Sequence, residues 1–412
     1  MSWGKKTLDQ LGSVARGKSK HRPRNDERLF GGDYPFIQTA DVKESGLYLT
    51  NYSQTYNEFG LKQSKLWPAG TLCITIAANI AETAILGMDA CFPDSIMGFL
   101  PFEGISDVRY VKYCFDMLQR ECKQISQGTT QDNLSWEKLS TITFLVPSYD
   151  QQVKIADILS AYDDLIENNK KQIKLLEEVA QRLYKEWFVD LHFPGYENTK
   201  IIDGIPEGYF LQPISDCLEA YLGGGWGKES PDGKNNYLGT VIRGTDINSI
   251  KAGDFKSLPV RYHTDNDRRK KALKADDIVF ELSNGNINNI GRSLLIDDFI
   301  LEQSETFTIC ASFCKLLRPK NRFLAIIIYW AIQDMQKSGK LLTFKKQGSN
   351  GINNFSFEDF LNYRVIVPEG VELVESLDNI MKMISDIRKK IALLIEARER
   401  LLDNLMNRKL EA

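Results

Sequence analysis

Gly12 to Ser19, GSVARGKS, has the spacing of a phosphate-binding loop, GxxxxGK[ST]. Such a loop works when a buried strand delivers it and a following helix turns its first N–H groups onto the phosphates. Here the preceding TLDQL is short and polar. The following KHRPRND carries a proline and three positive charges where the helix should begin. The match is read as chance. Methyl-donor chemistry fails on similar grounds: no strand runs into a GxGxxG loop, GGGWG (Gly223 to Gly227) has neither the spacing nor a helix behind it, and no Pro-Pro-aromatic run is present to hold a flipped base. The three histidines, His21, His192 and His263, are scattered without acidic neighbours, and the seven cysteines form no CxxC pair. Cys310 and Cys314 lie in TFTICASFCKLL, where even spacing places both on one buried face of a strand, as core thiols rather than metal ligands. An odd cysteine count without pairs points to reduced thiols in the cytosol.

The basic segments are better candidates for function. Arg16, Lys18, Lys20, Arg22 and Arg24, with Arg28, crowd one polar loop near the start. Farther along stand Lys228, the run Arg268, Arg269, Lys270 and Lys271, and the pair Lys345 and Lys346. With a net charge of −3 the chain is no general DNA-coating protein, so these clusters matter by their placement. Charged loops are often merely solvated, but a cluster in each half of the chain favours phosphate contact. Lys345 and Lys346 run into Gln347, Gly348, Ser349 and Asn350, a mixture of charge and hydrogen-bonding groups suited to base edges. The related Gln127, Thr129 and Thr130 lack adjacent lysines.

That relation is part of an internal duplication. QGTTQDNLSWEKLSTITFLVP (Gln127 to Pro147) reappears as QGSNGINNFSFEDFLNYRVIVP (Gln347 to Pro368), and a periodic charged helix follows each proline. The first should start near Asp150 or Gln151 and run to about Phe188, with a seam of Ile155, Leu159, Tyr162, Ile166, Ile173, Leu176, Ala180, Leu183 and Trp187, broken by Asn169. The second repeats the pattern at Leu373, Leu377, Ile380, Ile384, Ile387, Ile391, Leu394, Leu401 and Leu405, broken at Arg398. The first helix enters the second globular unit within a few residues and the second helix leaves that unit directly, so connectivity predicts an antiparallel pair with one unit at each end. End-to-end alignment places Asn169 near Ile391 and Tyr162 opposite Arg398, guanidinium on ring.

Off the seam lie Ile158, Leu165, Leu175, Val179, Tyr184 and Phe188 on the first helix, and Val374, Met381, Ile395 and Leu402 on the second. Two helices alone cannot bury so wide a stripe, so part of it should dock a partner protein. The bland alternative is a spacer strut.

Within the globular parts, Thr71 to Gly87 and Asp277 to Ile296 each read as strand, turn, strand, and helices are expected over Tyr110 to Gln124 and Phe323 to Ser338. The fold class is mixed α/β: two similar globular domains, residues 1–149 and 194–368, joined by two long antiparallel coiled-coil helices, 150–193 and 369–412. The opening MSWGKKTLDQLG has no signal-peptide core, and the greasiest run, FLAIIIYWAI, is about half of a membrane span, so the expected location is cytoplasmic, away from membranes.

LVPSYDQQVKIADILSAYDDLIENNKKQIKLLEEVAQRLYKEWFVD, the pair YPFIQTADV and YLGTVIRGTDI, CITIAANIAETAIL and QGTTQDNL together resemble the DNA-specificity subunits of Type I restriction–modification systems. The resemblance spans the chain; the second helix departs most, lacking the Gln-Gln-x-x-Ile-Ala entry. It implies a non-catalytic subunit whose globular domains are target-recognition domains, each reading half of a bipartite site in double-stranded DNA. It also implies helices that set the gap and hold two adenine-methylating subunits, with a restriction/translocase subunit able to join. S-adenosylmethionine and ATP would belong to those partners, with no cofactor in this chain. Half-sites separated by about one turn of DNA, roughly 34–36 Å, suit heads held apart by such helices. The competing reading is a two-headed protein–protein scaffold that does not touch DNA.

Overall fold

In the computed structural model, residues 3–76, 82–125, 136–255, 258–284, 289–347 and 353–407 are described. Strand Gly4–Thr7 pairs antiparallel with Thr143–Val146, tying the start of the chain to the segment that enters the first long helix. A five-stranded sheet follows in the order Gly12–Arg16, Ile96–Pro101, Leu72–Thr75, Thr83–Leu86, Tyr48–Leu49. Its strands Leu72–Thr75 and Thr83–Leu86 are buried at every residue, which is why they read as continuous apolar runs rather than alternations. A second sheet orders Gln54–Tyr56, Phe30–Phe36, Ala90–Cys91 and Leu66–Trp67. Gly98 lets the buried Trp67 ring lie against the sheet, since a Cβ there would come within 2.6 Å of the ring.

The same plan recurs after residue 200. Tyr209–Pro213 pairs with Arg364–Pro368. One sheet orders Leu218–Gly223, Cys314–Pro319, Ile278–Glu281 and Ser293–Leu295; another orders Val260–Thr264, Asn235–Ile242 and Phe307–Cys310. In both copies the strand Phe30–Phe36 or Asn235–Ile242 has one antiparallel and one parallel neighbour. Helices Val108–Ile125 and Arg322–Lys337 occupy matching places in the chain order. The greasy run Phe323 to Ile332 lies in the second of these, largely buried. No helix among the described residues is long and apolar enough to cross a membrane.

TFTICASFCKLL is not one strand. Cys310 ends Phe307–Cys310 and Cys314 begins Cys314–Pro319, in a different sheet, and the Cys314 N–H donates to the Ala311 carbonyl at 2.9 Å across the turn. Both thiols still reach one core cluster, and burial pushes Cys310 up to about 12. No group of side chains able to hold a metal ion occurs among the described residues.

The chain divides into two compact units, residues 1–167 with 394–412 and residues 168–393, and each long helix contributes to both. The central helix, Tyr149–Tyr184, continues through a wider turn at Lys185–Val189. Gln152 anchors its start. The side chain is 1% exposed, donates to the carbonyls of Ile105 (3.0 Å) and Pro147 (3.1 Å), and accepts from the Asp107 N–H (3.1 Å). A lost partner at so buried an amide would leave polar groups unsatisfied.

In the first unit Ile155, Ala156 and Leu159 share a core with Leu402, Leu405 and Met406 of the C-terminal helix, Glu372–Met406. In the second, Ala180, Tyr184 and Phe188 share a core with Val374 and Leu377. The start of one helix thus meets the end of the other in each unit, the antiparallel direction that connectivity requires.

The register differs from expectation in the C-terminal helix. The buried stripe runs through Val374, Leu377, Ile384, Arg388, Ile391, Leu402 and Leu405, with Met381, Ile395 and Arg398 partly buried between them. Leu373, Ile380, Ile387, Leu394 and Leu401 sit one position aside, half-buried. Two apolar stripes adjoin on this helix, and the one that fills a domain core as well as a helix seam takes the buried position. Tyr162 is therefore not what compensates Arg398. The guanidinium bonds the buried Asp163 carboxylate and lies 3.9 Å from Asp116. The Tyr113 hydroxyl donates to Asp163 at 2.6 Å, and Lys112 holds Asp116 at 2.7 Å. Asn169 and Ile391 are both buried.

Candidate nucleic-acid interface

The N-terminal basic segment lies on the rim of the first unit, and its backbone explains its display. Gly12–Arg16 is a strand rather than a phosphate loop, and the N–H groups of Gly17, Lys18 and Lys20 bond the carbonyls of Ile96, Phe92 and Gln63. Gly17 and Ser19 face inward while Arg16, Lys18 and Lys20 face solvent, the period-two display of an extended chain. No ion-pair partner of these three occurs among the described residues. Arg22 instead donates to the carbonyls of Ser19 (2.7 Å) and His21 (2.8 Å), and Arg24 forks onto Asp94 at 2.7 and 2.9 Å. Arg28 forks onto Asp26, and together with His21 holds that carboxyl well below the usual carboxylate range.

Arg24 also walls an open cleft of about 660 Å³, with Gln38, Ser53 and Gln54 among its other polar walls and Phe30 and Phe36 on its apolar side. The cleft was not foreseen from sequence. The sign available was the polar Gln38-Thr39 inside YPFIQTADV, directly after the apolar Phe36-Ile37. Its counterpart Arg243, in YLGTVIRGTDI, occupies the matching turn. Gln38 donates its N–H to Asp41 (2.7 Å) and Arg243 to Asp246 (2.8 Å), each three residues on.

In the second unit Arg268, Arg269, Lys270 and Lys271 occupy the short helix Asp265–Lys271, capped by the Thr264 hydroxyl accepting from the Asp267 N–H. Three of the four cations are paired locally, Arg268 and Arg269 with Asp265 and Lys271 with Asp267. Such exposed pairs are weak and exchange readily with other anions. The Arg268 guanidinium also lies 4.7 Å over the exposed Tyr237 ring, and Arg261 lies 5.1 Å over the exposed Trp226. Lys228 is held beside them by a two-way backbone bridge to Tyr262. Trp226, Tyr237 and Arg261 are the members of this strip that sequence reasoning missed; aromatic residues interleaved with cations, as in GGGWGK, were the available signal.

Lys345, Lys346 and Gln347 form a strand paired with Asn353–Phe355, Lys345 opposite Phe355. Ser349 and Asn350, like Gln127, Thr129 and Thr130, lie outside the described residues.

The expected docking residues separate into two groups. Ile158, Leu165, Leu175 and Val179 are exposed on the central helix, Leu175 to 61%. Tyr184, Phe188, Val374 and Leu402 are core residues and offer no surface, because the domain cores rather than a partner cover them; Met381 and Ile395 are half-buried.

Residues 2–178 match the family model described as the Type I restriction modification DNA specificity domain. The chain is 30% identical over 229 residues to the MjaIX specificity subunit of a Type I restriction enzyme of Methanocaldococcus jannaschii, covering 54% of this chain and 52% of the relative. It is 26% identical over 200 residues to the EcoR124I/EcoR124II specificity subunit of Escherichia coli, covering 46% and 47%. In these alignments the chain spans about half the length of the curated relatives it matches. Among solved structures, the S subunit of a Type I restriction–modification system from M. genitalium aligns over 98% of this chain and 96% of its own, at 15% identity and a TM-score of 0.49.

Proposed function

We propose that the whole chain is the sequence-reading subunit of a Type I restriction–modification system, since residues 2–178 match the model of that system's DNA specificity domain. Residues 1–149 and 194–368 are its two target-recognition domains, each reading one half of a bipartite duplex site. Residues 150–193 and 369–412 are the segments whose helices, Tyr149–Tyr184 and Glu372–Met406, carry them and receive the partner subunits. Two adenine-methylating subunits bind S-adenosylmethionine, a restriction/translocase subunit uses ATP, and this chain performs no catalysis. The assembly works in the cytoplasm.

The observation that carries this reading is the repetition of one sheet plan in two units, each with exposed cations at its surface. Cations with nearby amides and aromatic rings suit the contacts that position a protein on phosphates and then read bases. Docking falls to the exposed Ile158, Leu165, Leu175 and Val179.

Selection from a random duplex library by the full chain, assembled with a methylating subunit, tests the proposal. The expected product is two short constant elements separated by an unread gap of constant length. Enrichment of one contiguous element, or of none, overturns it; in the latter case the scaffold reading takes its place.

A further inference from the structure

We propose that Arg109 and Arg322 are positioning residues that fix the angle of each globular domain on the long helix that follows it, and through that angle the length of the unread gap. The inference rests on the DNA-reading function proposed above and concerns the gap rather than the bases. Both arginines stand in the first turn of the domain helix of their unit, Val108–Ile125 or Arg322–Lys337. Both cross from there to the long helix. Arg109 meets Asp157 at 2.8 Å while holding Asp107 at 2.9 Å. Arg322 meets Asp378 at 2.6 and 2.8 Å while holding Asp276 at 2.5 Å. Asp157 and Asp378 occupy one place in the duplication, each ten residues beyond the repeated proline, Pro147 or Pro368. A charge also crosses the other way in each unit. From the C-terminal helix Arg388 reaches Asp297 at 2.8 Å in the second, and Arg398 approaches Asp116 at 3.9 Å in the first.

Apolar packing leaves this angle open. On the C-terminal helix the buried stripe through Val374, Leu377 and Ile384 adjoins a half-buried one through Leu373, Ile380 and Ile387, so hydrophobic contact alone accepts more than one rotation of helix against domain. A planar guanidinium bonded to two carboxylates accepts one. Partly buried ion pairs add little net stability, because desolvation offsets their attraction. Their recurrence at one place in both units therefore points to orientation. The gap is sensitive to orientation, since one base pair shifts a half-site by about 3.4 Å and turns it by roughly 35°. The Asp378 end of the second clamp is half-buried and the Asp157 end of the first is exposed, so the second clamp holds more tightly.

Duplex selection with the full chain, assembled as above, supplies the test, using Arg322→Lys and, separately, Arg109→Lys. Each keeps the charge and loses the planar fork. The parent should enrich one gap length over its neighbours by about tenfold or more, the scale of a mismatched position. Arg322→Lys should enrich the same two half-sites while accepting gaps one base pair longer or shorter, with that preference reduced to about twofold. Arg109→Lys should change it in the same direction by less. If Arg322→Lys does not fold, Asp378→Asn, which leaves Arg322 bonded to Asp276, takes its place. A gap as strict as the parent's overturns the positioning role whatever happens to the melting temperature, because a merely structural pair lowers stability without touching the gap. Altered base preference within a half-site overturns it as well. In both cases the parent's own bipartite product keeps the DNA-reading function standing. A parent that selects no bipartite site overturns both.

Discussion

Arg398 and His263 are two polar residues that the fold takes out of water in opposite ways. Arg398 is compensated: Asp163 and Asp116 meet its guanidinium, and Tyr113 and Lys112 occupy the remaining carboxylate oxygens. Removing one partner of a buried pair leaves the other charge without compensation, a larger effect than the pair's own net worth. Arg398→Met should therefore lower stability by roughly 3 kcal/mol, read as a fall in denaturant midpoint, and Arg398→Met with Asp163→Asn should recover part of it. A double variant no better than the single one would refute the account.

His263 is 1% exposed, packs edge-on to Phe307, and burial lowers its pKa below the ordinary 6.5. The folded state then holds this ring neutral where the unfolded chain protonates it. Its contribution is complete above pH 6.5 and is lost as pH falls from 6.5 toward the lowered value. The parent should lose more thermal stability between pH 7.5 and 5.5 than His263→Gln does; equal losses would place the titration elsewhere.

At the scale of elements, the short helix Asp265–Lys271 shows how local pairing tempers a charge run. Asp265 and Asp267 sit one turn from three of its four cations. Phosphates must displace these carboxylates, so the run binds with less than its formal charge. Replacing Arg268, Arg269, Lys270 and Lys271 by Gln should weaken binding to all duplexes alike and flatten the log–log salt slope by about 2 to 3. An unchanged slope would mean the run is only solvated. The central helix makes a separate prediction. Leu175→Asp with Val179→Asp lies on solvent-facing positions, so the melting temperature should hold while co-purification of a methylating subunit is lost. Retained co-purification would remove this face from the docking surface.

For the whole molecule, duplication is the organising fact. Each unit has its own sheets and its own cores, so each can diverge without unfolding the other. Exchanging residues 1–149 for the matching part of a relative should replace one half of the selected site and keep the other. Altered selection in both halves would show that the units do not read independently. Gln38 and Arg243, different side chains on the same capped turn, show where such divergence is accommodated.

Sequence by itself determined the elements and their direction. Hydrophobic period marks both long helices to within a few residues of Tyr149–Tyr184 and Glu372–Met406, and chain connectivity alone requires them to run antiparallel. The duplicated segments foretold two similar units, and Arg16, Lys18 and Lys20 were legible as part of a basic cluster, though not as the alternating display of an extended chain. Tertiary structure decided which of two adjoining stripes on the C-terminal helix is buried, because a 3.6-residue helix with wide apolar coverage takes its rotation from what packs beside it. It moved Val374 and Leu402 from docking surface to core, gave Arg398 to Asp163 instead of Tyr162, and broke TFTICASFCKLL into strands of two sheets. It alone brought Gln38, in the turn beyond Phe30–Phe36, onto Gln54 of the neighbouring strand, since such a contact depends on sheet register, and no local pattern in the chain encodes which side chains will face each other across a cleft.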